Sequence, residues 1–195
     1  FIFFVDSTTI IEKTKDNFLN QNSTKYLFAQ NMKIDGEVVT INPVDNFQAA
    51  NPHCINIMFS TIQGLHTTLN NPRENALTYL DFEDEKIVLI SDEAHHINAL
   101  TKKKLNVSDM ENITSWEATV NRIFQSDEEN LLLEFTATIQ LSNPSIEEKY
   151  RDKIVYNYPL KRFREDGYSK DVRTLPTDIP IMERTLQALI ISQYR

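Results

Sequence analysis

The amino-acid sequence predicts an α/β fold with a mostly parallel β-sheet. Two observations support this prediction: short apolar runs rich in β-branched and aromatic residues recur along the chain, and segments with helical periodicity separate them. Strands that alternate with helices are typical of βαβ units, in which the crossover helices cover a parallel sheet. A length of 195 residues, with 41% hydrophobic and 25% charged residues, suits one globular domain, alone or with the start of a second.

The apolar runs predict the strands. The opening run, residues 1–5, is apolar throughout and is expected to be buried on both faces of the sheet. Further strands are predicted at residues 25–30, 54–59, 86–90 and 131–135, with weaker candidates at 38–41 and 153–156.

Capping signals and periodicity predict the helices. Thr9 and Glu12, and again Thr114 and Glu117, have the spacing of a capping box, so a helix is expected to begin at each pair. An apolar stripe that includes Trp116 follows the second pair and is interpreted as core rather than as a cofactor contact. The other helices are expected after the turn at 60–66, from 94 to the basic run 102–104, from 144, at 159–168 with Gly167 as the stop, and from 180.

Composition excludes several classes of protein. The formal charge of −8 argues against a surface that holds nucleic acid by bulk electrostatics, so any DNA contact is expected to be local. The single cysteine, Cys54, excludes an internal disulfide and a Cys-rich zinc site, and a reducing cytoplasm is the expected setting. No apolar run approaches the roughly 20 residues of a membrane span, so no membrane partner is expected.

Two carboxylates, Asp92 and Glu93, follow the predicted strand at 86–90 directly, in the sequence Ser-Asp-Glu-Ala-His-His. Ligands of open α/β sheets collect at the carboxyl ends of the strands, where one carboxylate is enough to hold a hydrated Mg²⁺ against phosphates. Asp92 is the candidate for that role, and Glu93 is the candidate general base. His95 could sense the nucleotide or couple this site to another strand end. The alternative interpretation is that the acidic residues only favour the start of a helix.

Four predicted strand ends carry motifs that together resemble superfamily 2 helicases and translocases of the DEAD/DEAH-box type, and in particular the Res subunit of Type III restriction enzymes. The motifs are VDSTTI at 5–10, STIQGL at 60–65, SDEAHH at 91–96 and FTATI at 135–139, and the later segments 156–175 and 188–195 are similar to Res proteins as well. The resemblance covers nearly the whole chain. It implies a RecA-like three-layer α/β sandwich that is incomplete at its N-terminus, with the first motor domain at residues 1–157 and an extension at 158–195.

The resemblance also implies functional residues. Asp92 would hold Mg²⁺ through water, Glu93 would activate the water that hydrolyses ATP, and His95 would couple to the motif Thr136, Ala137 and Thr138. Residues Ser7, Thr8, Thr61 and Gln63 would contact the DNA backbone. Capping of a helix is the open alternative for Ser7, Thr8 and Thr61. The basic residues Lys161, Arg162 and Arg164 are interpreted as a solvated face, with a DNA contact as the alternative.

The implied activity is that of an ATP-dependent DNA translocase with an associated endonuclease, acting on double-stranded DNA in a bacterial cytoplasm with a methyltransferase (Mod) subunit. The sequence departs from the pattern in one respect: none of its three glycines, Gly36, Gly64 and Gly167, precedes a lysine, so the phosphate loop Gly-Lys-Ser/Thr is absent. The chain is therefore expected to be a fragment that does not hydrolyse ATP by itself. A catalytically silent interaction domain with the motor fold, and a repair or RNA helicase of the same superfamily, are the alternatives.

Overall fold

The computed structural model describes residues 1–29, 32–71, 73–74, 76–83, 85–96, 107–139, 141–169, 176 and 178–193. The chain divides into two compact units, Phe1–Ile154 and Val155–Arg195. The assignment of a motor domain to residues 1–157 and an extension to 158–195 stays a prediction.

The first unit contains a six-stranded sheet that is parallel except at one edge. Its strands are β1 (Ile2–Val5), β2 (Met32–Ile34), β3 (Glu37–Pro43), β4 (Cys54–Thr61), β5 (Val88–Ser91) and β6 (Leu131–Glu134). They lie in the order β2-β3-β4-β1-β5-β6, and only the β2-β3 pair is antiparallel. The α/β class and the mostly parallel sheet predicted from the sequence are confirmed.

Helices cover both faces of this sheet. Those of the first unit are α1 (Thr8–Leu19), α2 (Ile62–Asn70), α3 (Val107–Phe124) and α4 (Pro144–Tyr150), with short 3-10 helices at Phe47–Ala49, Tyr79–Phe82 and Ala94–His96. The second unit contains α5 (Leu160–Glu165) and α6 (Ile181–Gln193). No helix among the described residues combines the length and the apolar character needed to cross a bilayer.

The central position of β1 in the sheet, between β4 and β5, explains why its sequence is apolar without interruption. Phe4 packs on one face of the sheet with residues of α2 and α3, including Ile62 and Ile123, whereas Val5 packs on the other face with Ile11 of α1. All four residues of β1 are buried. A central parallel strand has no solvated face, so every position favours an apolar residue.

An Asp-Gly turn forms the antiparallel edge. Asp35 and Gly36 connect β2 to β3 with φ of 52° and 90°. Positive φ at both central positions is the requirement of a tight hairpin turn, and Asp-Gly satisfies it at low cost. The weaker strand candidate at 38–41 is confirmed as part of β3.

The strand predicted at residues 25–30 was wrong over its described part, 25–29, which forms a turn and irregular backbone. The backbone N–H of Leu27 donates to the carbonyl of Asn17 near the end of α1, at 2.9 Å, instead of to a neighbouring strand. The ring of Phe28 packs edge-to-face on Phe18 of α1, with 5.1 Å between the ring centres. The aromatic residues of this segment therefore cover the end of a helix.

The strand predicted at 153–156 was also wrong. Residues 151–153 form a turn after α4, in which Asp152 has a φ of 61° and the N–H of Lys153 donates to the carbonyl of Tyr150. Val155 is 98% exposed, and residues 154–156 pair with no strand that the structure describes.

Two predicted helix starts were wrong in position. The N-cap of α1 is Ser7 rather than Thr9, so the Thr9/Glu12 pair lies inside the first turns. The Thr114/Glu117 pair lies well inside α3, because that helix already begins at Val107. The helix predicted from Ala94 is a 3-10 helix over Ala94–His96, and the rest of that prediction, 97–106, lies outside the described residues.

The remaining helix signals are confirmed. Asn143 caps α4, since its side chain accepts a hydrogen bond from the N–H of Ser145, with Pro144 in the first turn. Gly167 follows α5 with a φ of 81°. In the Trp116 stripe, Val120 and Ile123 are buried and Trp116 packs against them, whereas Phe124 is partly exposed.

Candidate functional site

The four strand-end motifs lie along one edge of the sheet, the edge that is formed by the carboxyl ends of its parallel strands. Strands β4, β1, β5 and β6 are adjacent and parallel, so their carboxyl ends share that edge. Val5 is in register with Thr61, and Ser91 is in register with both Phe4 and Glu134. The edge therefore carries, in spatial order, the Thr61, Ser7, Asp92 and Thr136 motifs.

Backbone hydrogen bonds fix the acidic motif to its neighbours on both sides. The N–H of Asp92 donates to the carbonyl of Phe4 in β1 at 3.1 Å, and the N–H of Ala94 donates to the carbonyl of Phe135 after β6 at 2.9 Å. Phe135 in turn donates to the carbonyl of Ser91 at 2.8 Å. These bonds extend both parallel ladders by about one residue beyond the strands, which holds the start of the motif in a defined position.

Asp92 and Glu93 are both partly exposed at this edge. The carboxylate oxygen Oδ1 of Asp92 accepts a hydrogen bond from the N–H of Glu93 at 2.9 Å. Glu93 has a φ of 49°, in the left-handed region that non-glycine residues rarely adopt. Such backbone persists where the surroundings enforce it, and it is frequent at functional sites.

His95 connects the two motifs through one ring nitrogen. Its Nδ1 atom lies 2.9 Å from Oγ1 of Thr136 and 3.3 Å from Oε2 of Glu93. An ionised carboxylate only accepts hydrogen bonds, so the position of Glu93 favours a proton on Nδ1. Thr136 Oγ1 can accept from the same N–H, and it also accepts from the N–H of Thr138 at 3.2 Å.

The other predicted residues of the Thr-Ala-Thr motif are more exposed. Ala137 and Thr138 are exposed, whereas Thr136 is partly buried. The structure therefore brings Glu93, His95 and Thr136 into one hydrogen-bonded group, in which Thr138 takes part through its backbone.

The predicted DNA-contact residues form a second group, at the ends of β1 and β4. Thr61 is the N-cap of α2, and its hydroxyl accepts a hydrogen bond from the N–H of Gly64 at 3.0 Å. Gln63 is partly exposed in the first turn of α2. Ser7 occupies the N-cap position of α1 without a side-chain capping bond, and Thr8 is exposed at the start of that helix. Capping thus accounts for the Thr61 hydroxyl and leaves the hydroxyls of Ser7 and Thr8 unexplained.

Sequence reasoning missed a polar group next to the acidic motif, on the face of the sheet that α3 and α4 cover. Glu134, the last residue of β6, accepts a hydrogen bond from the hydroxyl of Tyr150 at 3.2 Å. Burial raises the pKa of the Glu134 carboxyl, and the nearby Lys149 ammonium opposes that shift. Lys149 also forms an ion pair with Glu117 of α3, at 2.5 Å. The available signal was one carboxylate in an otherwise apolar strand, residues 131–135.

No group of three or more histidine, cysteine, aspartate or glutamate side chains that could hold a metal ion occurs in the part of the chain that the structure describes.

Comparison with known proteins identifies the family. A sequence model of the family described as "Type III restriction enzyme, res subunit" matches residues 1–141. Over 214 aligned positions the chain is 35% identical to the probable type III restriction-modification enzyme HindVIP Res subunit of Haemophilus influenzae. That alignment covers the whole chain and 41% of the relative's length. No solved structure gives a significant match. The family match over most of the chain and the identity over its full length agree, and the chain belongs to the Type III restriction enzyme Res-subunit family.

Proposed function

We propose that this chain is part of the ATP-dependent motor of a Type III restriction enzyme, which couples ATP hydrolysis to movement on double-stranded DNA before cleavage. One observation carries the proposal: the acidic pair Asp92 and Glu93 ends one strand, and His95 joins that pair to Thr136 at the end of the next strand. In this proposal residues 1–157 are the first motor domain and residues 158–195 lead towards a second.

The chemistry of Asp92 suits a magnesium ion. Mg²⁺ binds through one or two carboxylates plus phosphate oxygens and retains several waters, so it does not need a cage of protein ligands. One oxygen of Asp92 is used by the N–H of Glu93, and the side chain is partly exposed at the edge. Asp92 would hold the ion through water, and the ion would neutralise charge on the phosphates of ATP.

Glu93 is the proposed general base. Its Oε2 atom lies 3.3 Å from Nδ1 of His95, and its left-handed backbone directs the side chain differently from a helical residue at that position. A positioned carboxylate that accepts a proton from the attacking water contributes roughly 10²- to 10⁴-fold to a rate.

The ends of β1 and β4 are the proposed DNA contacts. Hydroxyl groups and backbone N–H groups at strand-to-helix turns suit phosphate oxygens, which position DNA without reading its sequence. Ser7, Thr8, Thr61 and Gln63 would make these contacts, and Thr61 could combine this role with its cap. A formal charge of −8 is consistent with contacts that are local rather than spread over the surface.

We infer that the phosphate loop comes from a part of the protein outside these 195 residues. None of the three glycines of the sequence precedes a lysine, and the relative from Haemophilus influenzae is more than twice as long as the aligned region. Strand β6 supports this inference, because it is the last strand of the described sheet and Leu131, Leu133 and Phe135 are 55%, 42% and 54% exposed. An apolar edge strand of this kind favours pairing with a further strand.

The 195-residue chain alone would then not hydrolyse ATP. The nuclease activity and the contact with a methyltransferase (Mod) subunit would belong to the intact assembly.

The test is DNA-stimulated ATP hydrolysis by the intact protein together with its partner subunit. Glu93→Gln should retain nucleotide binding and lower turnover about 10²-fold or more, because it removes the proposed base. Glu12→Gln, a matched change on the exposed side of α1, should leave turnover unchanged. Asp92→Ala should raise the Mg²⁺ concentration needed for half-maximal activity. Turnover in Glu93→Gln equal to that of the unmodified protein would contradict the assignment. An intact protein without ATPase activity would favour a silent interaction domain, and strand separation without translocation on duplex would favour a helicase of another type.

A further inference from the structure

A small cavity of about 40 Å³ lies between the sheet and helices α3 and α4. Its apolar lining consists of Phe4, Val120 and Leu132. Its polar lining comes from four elements of the first unit: Ser91 of β5, Glu134 of β6, Glu117 and Asn121 of α3, and Lys149 of α4. The cavity thus lies directly behind the strand end that carries Asp92.

The hydroxyl of Ser91 lacks a partner in this cavity. Ser91 is 2% exposed, and its Oγ atom is buried without a hydrogen bond to any described residue. A buried hydroxyl is normally paired with protein or with ordered water, because an unpaired one loses its hydration without compensation. A small polar molecule in the cavity would supply the missing hydrogen bond to this hydroxyl.

Charged groups also line the cavity. The Nζ atom of Lys149 lies 2.5 Å from Oε1 of Glu117, and the two side chains are 29% and 24% exposed. Glu134 is in register with Ser91 on the neighbouring strand, so the two side chains project from the same face of the sheet. The lining thus contains the carboxylates of Glu117 and Glu134 and the ammonium group of Lys149, so acceptor groups outnumber the cationic donor.

The size of the cavity selects the occupant. A water needs roughly 10 to 15 Å³ of such space and two to four polar partners, and genuinely dry cavities are apolar. About 40 Å³ accommodates one or two waters and is too small for a metabolite. A water can accept from one neighbour and donate to two others, which suits a hydroxyl that faces carboxylates.

We propose that this cavity is a hydration site, in which ordered water links the Ser91 hydroxyl to the carboxylates of Glu134 and Glu117, and that Ser91 and Lys149 are positioning residues for the acidic motif. Ser91 directly precedes Asp92, and Lys149 fixes the Glu117 carboxylate by its ion pair. The water connects α3 and α4 to the end of β5, so the position of Asp92 and Glu93 depends on it. The positioning role rests on the proposed function, whereas the hydration site does not.

A high-resolution crystal structure of the intact protein tests the hydration site. One or two ordered waters are expected within hydrogen-bonding distance of Ser91 Oγ, and Ser91→Ala is expected to lose at least one of them while the fold is unchanged. A dry cavity, a metal ion in it, or an Oγ atom bonded directly to protein would overturn the proposal.

Steady-state kinetics of the intact protein test the positioning role. Lys149→Met should lower kcat for ATP about 10-fold, the lower end of what residues that orient a metal site contribute, with little change in KM. Lys149→Arg, which keeps the charge, should restore most of the loss. Lys13→Met, at an exposed position of α1, is the matched control. An unchanged kcat in folded Lys149→Met would overturn the positioning role. Waters present in a protein that does not hydrolyse ATP would contradict the proposed function alone.

Discussion

The Nδ1 atom of His95 lies 2.9 Å from Oγ1 of Thr136, although the two residues are 41 positions apart in the chain. The contact exists because β5 and β6 are parallel neighbours and each residue lies in the segment that follows the carboxyl end of its strand. The same nitrogen lies 3.3 Å from the carboxylate of Glu93. A displacement of either strand end therefore changes the surroundings of the proposed general base, which is the kind of link that a motor requires.

This contact predicts coupling between His95 and Thr136. His95→Ala and Thr136→Val should each reduce DNA-stimulated turnover. The double variant should be little worse than the more severe single variant, because each change already removes the contact between His95 and Thr136. The expected coupling energy is about 1 kcal/mol or more. The measurement is a double-mutant cycle on kcat. A control cycle that pairs Thr136→Val with His53→Ala, in the exposed loop before β4, should be additive. Additivity in the first cycle would rule out the proposed coupling.

The N-cap of α2 predicts a stability effect at Thr61. Thr61→Ala removes the acceptor for the N–H of Gly64 and should lower the free energy of unfolding by about 1 kcal/mol, whereas Thr61→Ser should retain it. Chemical denaturation measures both. If Thr61 also contacts phosphate, Thr61→Ala should weaken DNA binding without changing its salt dependence, since a neutral hydroxyl releases no counterions. Equal stability of the Ala and Ser variants would remove the capping role.

Close packing around Gly64 predicts that an added methyl group there is unfavourable. A Cβ at this position would lie 3.0 Å from Oγ1 of Thr61 and 3.3 Å from Oγ of Ser60. Alanine normally stabilises a helix by roughly 0.5 to 1 kcal/mol relative to glycine, so Gly64→Ala is expected to show less than this gain or a loss. In the Thr61→Ala background the crowding is relieved and Gly64→Ala should become more favourable. The same effect of Gly64→Ala in both backgrounds, measured by chemical denaturation, would contradict the proposed crowding.

The pKa of Glu134 predicts a pH-dependent stability. Burial raises this pKa above its ordinary value of 4.5; Glu117 acts in the same direction, and Lys149, Lys153 and the Tyr150 hydroxyl act against it. As pH rises, the unfolded chain releases this proton first, so the contribution of Glu134 is present at low pH and is lost as pH rises through the folded pKa. Glutamine does not ionise, so Glu134→Gln does not lose this stability as pH rises. The difference in unfolding free energy between Glu134→Gln and the unmodified protein should therefore favour the variant more at neutral pH than near pH 4.

Urea unfolding of both proteins across this range measures the difference. Glu148→Gln on the exposed side of α4 controls for the loss of one negative charge. The opposite trend with pH would show that the positive charge of Lys149, rather than burial, dominates the surroundings of Glu134.

Much of the first unit could be predicted from local patterns. Strands β1, β4, β5 and β6 each carry an apolar run that suits a strand covered by helices, and the motifs that follow them stand out in the sequence. The failures occurred where contacts distant in sequence override a local preference. The aromatic residues of 25–29 favour a strand by composition, yet Phe28 finds its partner in Phe18. The capping-box spacing of Thr114 and Glu117 carries no information about tertiary contacts, and Glu117 is used in an ion pair with Lys149 instead.

The α/β class can be inferred from the amino-acid sequence alone, as can the order of the strand-end motifs along the chain and the identity of the acidic pair, because these depend on residue type and on spacing within one element. The folded chain was needed to show which motifs are neighbours and that His95 contacts both Glu93 and Thr136. It also showed that one cavity is lined by Ser91, Glu117, Glu134 and Lys149. Strand order in a parallel sheet is set by how helices pack across its two faces, and that packing brings together side chains whose separation along the chain carries no trace of their contact.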